Sequence, residues 1–326
     1  MAQTRRGCCC GELAALRAEL DRRARGGTKS GSGRALETRA AGAFARVSTE
    51  KLVQTLRRRQ RAIYGTDGRK DLFEVTSAEL RGLADSVAAL VEHGKLRRTS
   101  DGRFRLATTS YQEEYDLCAG ETFAAQPLGC FCTGFLVAPD VIATAGHCVR
   151  STKAARRTWF VFGFRMLNRD RARTEFHAAD VYRGAALLGR EEADSGPDWA
   201  LVRLDRPVVG RAPLRVRDAG KISDDRRVFV IGHPSGLPSK LAGGARVREN
   251  RRRAFFVANL DTYGGNSGSP VFDQRTKVVE GILVRGEQDF VAKGDCYVST
   301  VCPDAGCQGE SVTRSTWWAG RIPAAG

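Results

Sequence analysis

From residue 61 onward the apolar residues arrive in short runs, FCTGFLV, DVIATA, TWFVFGF, WALVRL, RVFVIG, AFFVANL, SPVFD and KVVEGILV, parted by Gly, Pro and Asp. Each run is too short for a stable isolated helix, and each is rich in β-branched and aromatic residues bounded by turn formers. Many such strands in succession have two good solutions, a sandwich or a barrel, because only these bury a series of short strands around a common core. The fold class read from this pattern is all-β. One stretch stays open: Thr76 and Glu79 have capping-box spacing before Leu80, Leu83, Val87, Leu90 and Val91, which recur like a helix face, yet residues 86–91 also suit a buried strand.

The first sixty residues have a different texture. Leu13, Leu16 and Leu20 suggest a short amphipathic helix over 11–25, GGTKSGSGR over 26–34 reads as a flexible linker, and Leu52, Val53 and Leu56 mark a second helical stretch within 36–61. This divides the chain into a basic extension, 1–60, partly helical or disordered, and a β-rich domain, 61–326. The formal net charge is +16, and the extension holds 14 basic against 5 acidic residues, so +9 of the total lies there. The extension has a single aromatic, Phe44, whereas a surface that follows a nucleic acid strand interleaves stacking rings with its cations. A solvated arginine-rich arm is therefore the expectation, and a nucleic-acid partner the alternative. Adjacent cysteines cannot easily converge on one ion, so Cys8, Cys9 and Cys10 are read as incidental.

No run approaches the roughly 18 apolar residues of a membrane-spanning helix; residues 228–231 are typical of the longest. Seven of the ten cysteines lie in the β-rich part, which favours an oxidising, secreted or periplasmic location. The first thirty residues show no signal-peptide pattern, and the two observations pull apart.

Chemistry enters with the stretch 261–270, DTYGGNSGSP. Acyl transfer by a serine needs a hydroxyl on a tight turn, a base, and N–H donors aimed at the developing oxyanion. Gly264, Gly265 and Gly268 allow the backbone to turn so that the N–H groups of Gly265 and Ser267 point at one oxygen. The chain has four histidines; His93, His177 and His233 lie in charged, irregular or turn-like settings, while His147 sits in TAGHC after a β-rich run. Asp198 opens the apolar run DWALVRL, where a buried carboxylate accepts the second imidazole N–H.

TAGHC, DWALVRL and GNSGSP occur in the order His, Asp, Ser of the chymotrypsin-like serine peptidases, which this chain resembles. The Asn and Ser flanking Ser267 are most similar to the bacterial glutamyl-endopeptidase-like branch, and IYGTDGR, residues 63–69, resembles that branch's approach to its first barrel. The resemblance implies two packed six-stranded antiparallel β-barrels with a cleft between them, covering about 61–312. It implies a serine endopeptidase acting on protein or peptide substrates with no metal or organic cofactor. Ser267 would be the nucleophile, His147 the general base and then acid, Asp198 the orienting carboxylate, and Gly265 and Ser267 the oxyanion donors. Cys132 and Cys148 match the disulfide that flanks the catalytic histidine; among the remaining five cysteines at least one lacks a partner, expected to be Cys130.

Two departures sharpen the expectation. Asn266 stands where zymogen-activated members have an Asp that pairs with a freshly cut α-ammonium, so that switch is not expected. Leu283 stands where glutamate-specific members have a His, which argues against cleavage after Glu. Asp261, Thr262, Val284, Arg285 and Gly286 match the specificity pocket, and Asp261 occupies the position that favours Arg or Lys at P1. A brace within its own turn, through Arg285, is the alternative role for Asp261. The rival functions are an inactive binding module that keeps the fold, and a nucleic-acid-associated protein acting through 1–60. Oligomeric state is not legible.

Overall fold

The apolar runs are strands because most are buried on both faces, and alternate residues serve different cores. Along Cys132–Ala138, Phe135 and Val137 enter one apolar cluster while Leu136 enters another. Along Arg227–Gly232, Phe229 and Ile231 join the first of these clusters, and Val228 and Val230 a third. Two-sided burial gives the near-continuous hydrophobic runs of the sequence. In this computed structural model the described residues are 63–193, 195–286, 290–303 and 306–324. The two helical stretches expected within 1–61, the linker between them and the Cys8–Cys10 triplet lie outside them.

Twelve strands form two closed antiparallel barrels. The first comprises β1 (Val87–Glu92), β2 (Cys132–Ala138), β3 (Val141–Thr144), β4 (Thr158–Phe162), β5 (Val181–Glu192) and β6 (Asp198–Leu204), in the cyclic order β4-β5-β6-β3-β2-β1. The second comprises β7 (Arg227–Gly232), β8 (Lys240–Glu249), β9 (Phe255–Ala258), β10 (Pro270–Asp273), β11 (Val279–Arg285) and β12 (Glu310–Arg314). Its order is β7-β10-β11-β12-β9-β8, and pairing of β7 with β8 closes it. Closure removes the unpaired edges on which open sheets aggregate. The two-barrel expectation is met.

Each barrel is filled by its own cluster: Leu90, Leu136, Ile142, Phe160, Phe162 and Tyr182 in the first, Val228, Val230, Phe256, Val271, Leu283 and Val312 in the second. A further cluster, including Phe135, Trp199, Leu201, Phe229, Phe272 and Ile282, draws residues from both barrels and joins them. Burying each such side chain is worth about 1.5–3 kcal/mol, so the interface contributes as a core does. Strand Arg69–Asp71 adds to β8, and Ile63–Tyr64 runs parallel to Val301–Cys302.

The ambiguous stretch near residue 80 divides in two. Helix α1 (Ala78–Ala84) is capped by Ser77, whose hydroxyl accepts from Leu80 N–H, rather than by Thr76; β1 then starts at Val87. Among the described residues disulfides join Cys118 to Cys296, Cys132 to Cys148 and Cys302 to Cys307. Among the described residues no helix is long and apolar enough to cross a membrane.

Candidate active site

Strand register brings His147 to Asp198. In the β3–β6 ladder Thr144 faces Ala200, so three residues past Thr144 and two before Ala200 the chains are still adjacent. The intervening Gly146 is required by space, since a β-carbon there would stand 2.1 Å from Glu191 O and 2.9 Å from Trp199 O. Asp198 Oδ1 accepts the His147 backbone N–H at 3.1 Å, and Oδ2 lies 2.7 Å from His147 Nδ1. A carboxylate only accepts, so Nδ1 carries the hydrogen and Nε2 is left as the basic nitrogen.

Asp198 is 2% exposed. Burial, the largest influence on it, raises its pKa, but the contacts with His147 and the Arg285 guanidinium, 3.9 Å away, outweigh burial and hold the carboxyl below its usual range. It is therefore ionised at neutral pH. Asp198 N–H donates to Thr313 Oγ1 of β12, tying this corner of the first barrel to the second.

Ser267 lies in the loop between β9 and β10, and strands of both barrels grip that loop. Thr133 N–H donates to Ser267 O at 2.9 Å, Thr133 Oγ1 donates to Gly265 O at 3.0 Å, and Gly268 N–H donates to Leu283 O at 2.8 Å. Gly265 and Gly268 have φ of +89° and +91°, a region that side chains disfavour, and a β-carbon on Gly268 would stand 1.9 Å from Thr133 O. Among the described residues no protein acceptor takes the Gly265 N–H. The Cys132–Cys148 disulfide lies between the two halves: Cys148 Sγ is 3.7 Å from Ser267 O, and both sulfurs and a ring nitrogen of His147 fall within 4.8 Å of one another. Joined to each other, the sulfurs are not thiolate ligands, so this grouping is not a metal site.

The five residues assigned to a pocket separate. Asp261 is gripped by backbone donors: Oδ1 accepts from Tyr64 N–H and Oδ2 from Gly68 N–H, both at 2.7 Å. Burial pushes its pKa up to about 6 despite those two donors. Arg285 turns to the chain before Asp198, donating to Ala193 O and Gly196 O. Val284 belongs to the cluster that joins the barrels. Thr262 and Gly286 converge on a residue that sequence reading missed, Glu310, which is fully buried at the start of β12. Thr262 Oγ1 donates to Glu310 Oε2 at 3.1 Å, and a β-carbon on Gly286 would stand 1.9 Å from the same oxygen. No local motif marks Glu310; only a strand fixed by the second barrel brings it between the two segments.

The profile of the trypsin-like peptidase domain matches residues 132–282, a span that includes His147, Asp198 and Ser267. Among curated proteins the chain is 27% identical over 209 residues to secreted RxLR effector protein 73 of Plasmopara viticola, covering 60% of this chain and 47% of that protein. It is 26% identical over 152 residues to a glutamyl endopeptidase of Bacillus licheniformis, covering 44% of this chain and 45% of that one. The chain thus spans about half the length of these relatives. A solved Glu endopeptidase structure aligns with 80% of this chain and 97% of its own at 18% identity and a TM-score of 0.44. Residues 132–282 thus carry the match to a trypsin-like peptidase domain.

Proposed function

We propose that residues 61–326 form a serine endopeptidase that hydrolyses peptide bonds through an acyl-enzyme, with Ser267, His147 and Asp198 as its triad. The observation that carries this is the 2.7 Å contact between His147 Nδ1 and the buried, ionised Asp198. It fixes the tautomer that leaves Nε2 to take the Ser267 proton and return it to the leaving amine. The N–H groups of Gly265 and Ser267 would stabilise the tetrahedral oxyanion, each worth about 3 kcal/mol in the transition state. The likeness to a bacterial glutamyl endopeptidase supports the branch read from the sequence. Three disulfides and the secreted relative support an extracellular or periplasmic setting.

A preference for Arg or Lys at P1 is supported by Glu310 rather than Asp261. Asp261 is engaged by two backbone donors, whereas the Glu310 carboxylate lies between Thr262 and Gly286, the segments that would wall the pocket. A buried carboxylate facing a substrate guanidinium or ammonium gains a charge-assisted bond that an apolar side chain cannot supply.

The test is labelling with an organofluorophosphonate, with the modified peptide read by mass spectrometry. Labelling at Ser267 is expected, absent in Ser267→Ala and reduced at least about 10³-fold in rate in His147→Ala. Peptides with Arg, Glu or Phe at P1 should be cleaved best after Arg, with that advantage lost in Glu310→Gln. No labelling of folded protein would leave the inactive binding module as the better reading. Equal or better turnover after Glu or Phe would remove the basic preference.

A further inference from the structure

We propose that residues 63–71 act as an internal strap that positions the oxyanion loop by gripping Asp261, so that Asp261 is a positioning residue and not a reader of substrate charge. The inference rests on the peptidase reading for its effect on turnover, and on geometry alone for the grip. Asp261 is 5% exposed, and its two oxygens take the Tyr64 and Gly68 N–H groups at 2.7 Å each. Two residues further on, the Arg69 guanidinium lies 4.1 Å from the centre of the Tyr263 ring and is itself held by Asp67 at 2.9 and 2.7 Å. Tyr263 O accepts the Asn266 N–H at 3.0 Å, so the grip reaches the residue before the nucleophile.

The strap is anchored on both sides of the grip. Upstream, Ile63 N–H donates to Thr300 O and Gly65 N–H to Cys302 O, beside the Cys302–Cys307 disulfide. Downstream, Asp71 receives the buried Lys240 ammonium at 2.5 Å and the Gln126 side-chain amide at 2.7 Å. A buried ion pair with its remaining sites filled holds one geometry, since either partner alone would be costly. Gly68 fits because it is small: a β-carbon there would stand 2.9 Å from Asp261 Oδ2 and 3.1 Å from Gly243 O.

Asn266 cannot form a charged pair with a chain terminus, and its side-chain oxygen instead accepts from Ser269 Oγ at 3.2 Å. The loop is held at residue 261 by peptide N–H groups of an internal segment, which exist without any cut in the chain. The positioning that a freed ammonium could provide is supplied by backbone amides, and Ser267 is expected to react in the uncut chain.

The experiment uses the full chain and compares wild type with Asp261→Asn, Gly68→Ala and the double variant. Steady-state kinetics on peptides with Arg or Phe at P1 would be combined with amide hydrogen exchange over 261–268. The Asp261→Asn side chain keeps one acceptor and turns an NH₂ against the second N–H; the Gly68→Ala methyl pushes the strap off the carboxylate. Each single variant is expected to lower kcat about 10- to 100-fold with KM nearly unchanged and the Arg-to-Phe ratio within about twofold, because a loop displaced by an ångström costs that much. The double variant should be no worse than the poorer single, because both break one contact. Exchange over 261–268 should quicken in all three. If Asp261→Asn abolishes turnover after Arg and spares Phe, Asp261 reads the substrate and the proposal is wrong; unchanged exchange or additive losses overturn it as well. If wild type neither labels nor cleaves, the peptidase reading fails, and exchange still decides whether the strap holds the loop.

Discussion

Two buried aspartates, one in each half of the site, have opposite surroundings. Asp198 meets an imidazole N–H at 2.7 Å and a guanidinium at 3.9 Å, which outweigh burial and keep it ionised. Asp261 meets two neutral backbone donors, with Asp67 and Arg69 acting on it in opposite senses, and burial prevails. The His147 half is built from adjacent strands of one barrel and one short-range disulfide. The Ser267 half is a glycine-rich loop held by segments distant in sequence, Tyr64 and Gly68 on one side and Thr133 on the other. A carboxylate that faces an imidazole suits proton transfer, and one that faces peptide amides suits positioning.

The sharpest way to break this contrast is Asp198→Asn. The amide cannot accept both contacts made by His147 and permits the wrong tautomer, so kcat should fall about 10⁴-fold while substrate binding persists. Because Asp198 is held below its usual range, its ionised form stabilises the fold above ordinary carboxylate pH and that stability is lost as pH falls; the variant should lack this acid-side loss. Stopped assays of kcat and KM at neutral pH, with melting curves from acid to neutral pH, check both. A fall of under about tenfold in kcat would mean that His147 is oriented by something other than Asp198.

Next in size is loss of the Cys132–Cys148 bridge, which closes a sequence separation of 16 residues between β2 and the residue after His147. Replacing both cysteines by Ala should cost about 3 kcal/mol, chiefly by freeing the unfolded chain, and should lower Tm by several degrees. Labelling of Ser267 should slow as well, since Cys148 Sγ abuts the Ser267 carbonyl. Calorimetry beside the labelling rate would show whether the bridge braces the site or only the barrel.

Legibility in the sequence follows the same division. Residues fixed by neighbouring chain announced themselves: TAGHC and DWALVRL stand where one ladder brings them together, and strands buried on both faces showed as unbroken apolar runs. The helix-or-strand ambiguity over 76–91 arose because a seven-residue helix and a strand follow each other with no Gly or Pro between them, and Ser77 caps as well as Thr76 could. What depends on distant chain was not legible. The grip on Asp261 spans 197 and 193 residues, and the Cys118–Cys296 bridge spans 178. An Asp six residues before the serine looks the same in sequence whether it faces a pocket or a strap, and Glu310 carries no motif at all.

The smallest effect discriminates most finely, because the two aspartates should tilt stability in opposite directions with pH. Asp261 is pushed up to about 6 from an ordinary 3.8, so the folded state holds this proton more tightly than the unfolded chain does. Its contribution is fully present below about pH 4 and is lost as pH rises through about 6. The amide that replaces it in Asp261→Asn does not titrate. The Tm advantage of wild type over Asp261→Asn should therefore be greatest near pH 4 and shrink by about 2–5 °C toward about pH 6.5, the reverse of the trend for Asp198→Asn. The charged neighbours that bear on Asp261 are Asp67 and Arg69 on the strap, with Glu310 beyond Thr262. Repeating the melts in Asp67→Asn should move the midpoint of that change to lower pH, because Asp67 helps to raise the Asp261 pKa. A gap that widens with pH would mean that the two amides favour the ionised carboxylate more than burial opposes it, and Asp261 would then resemble Asp198 after all.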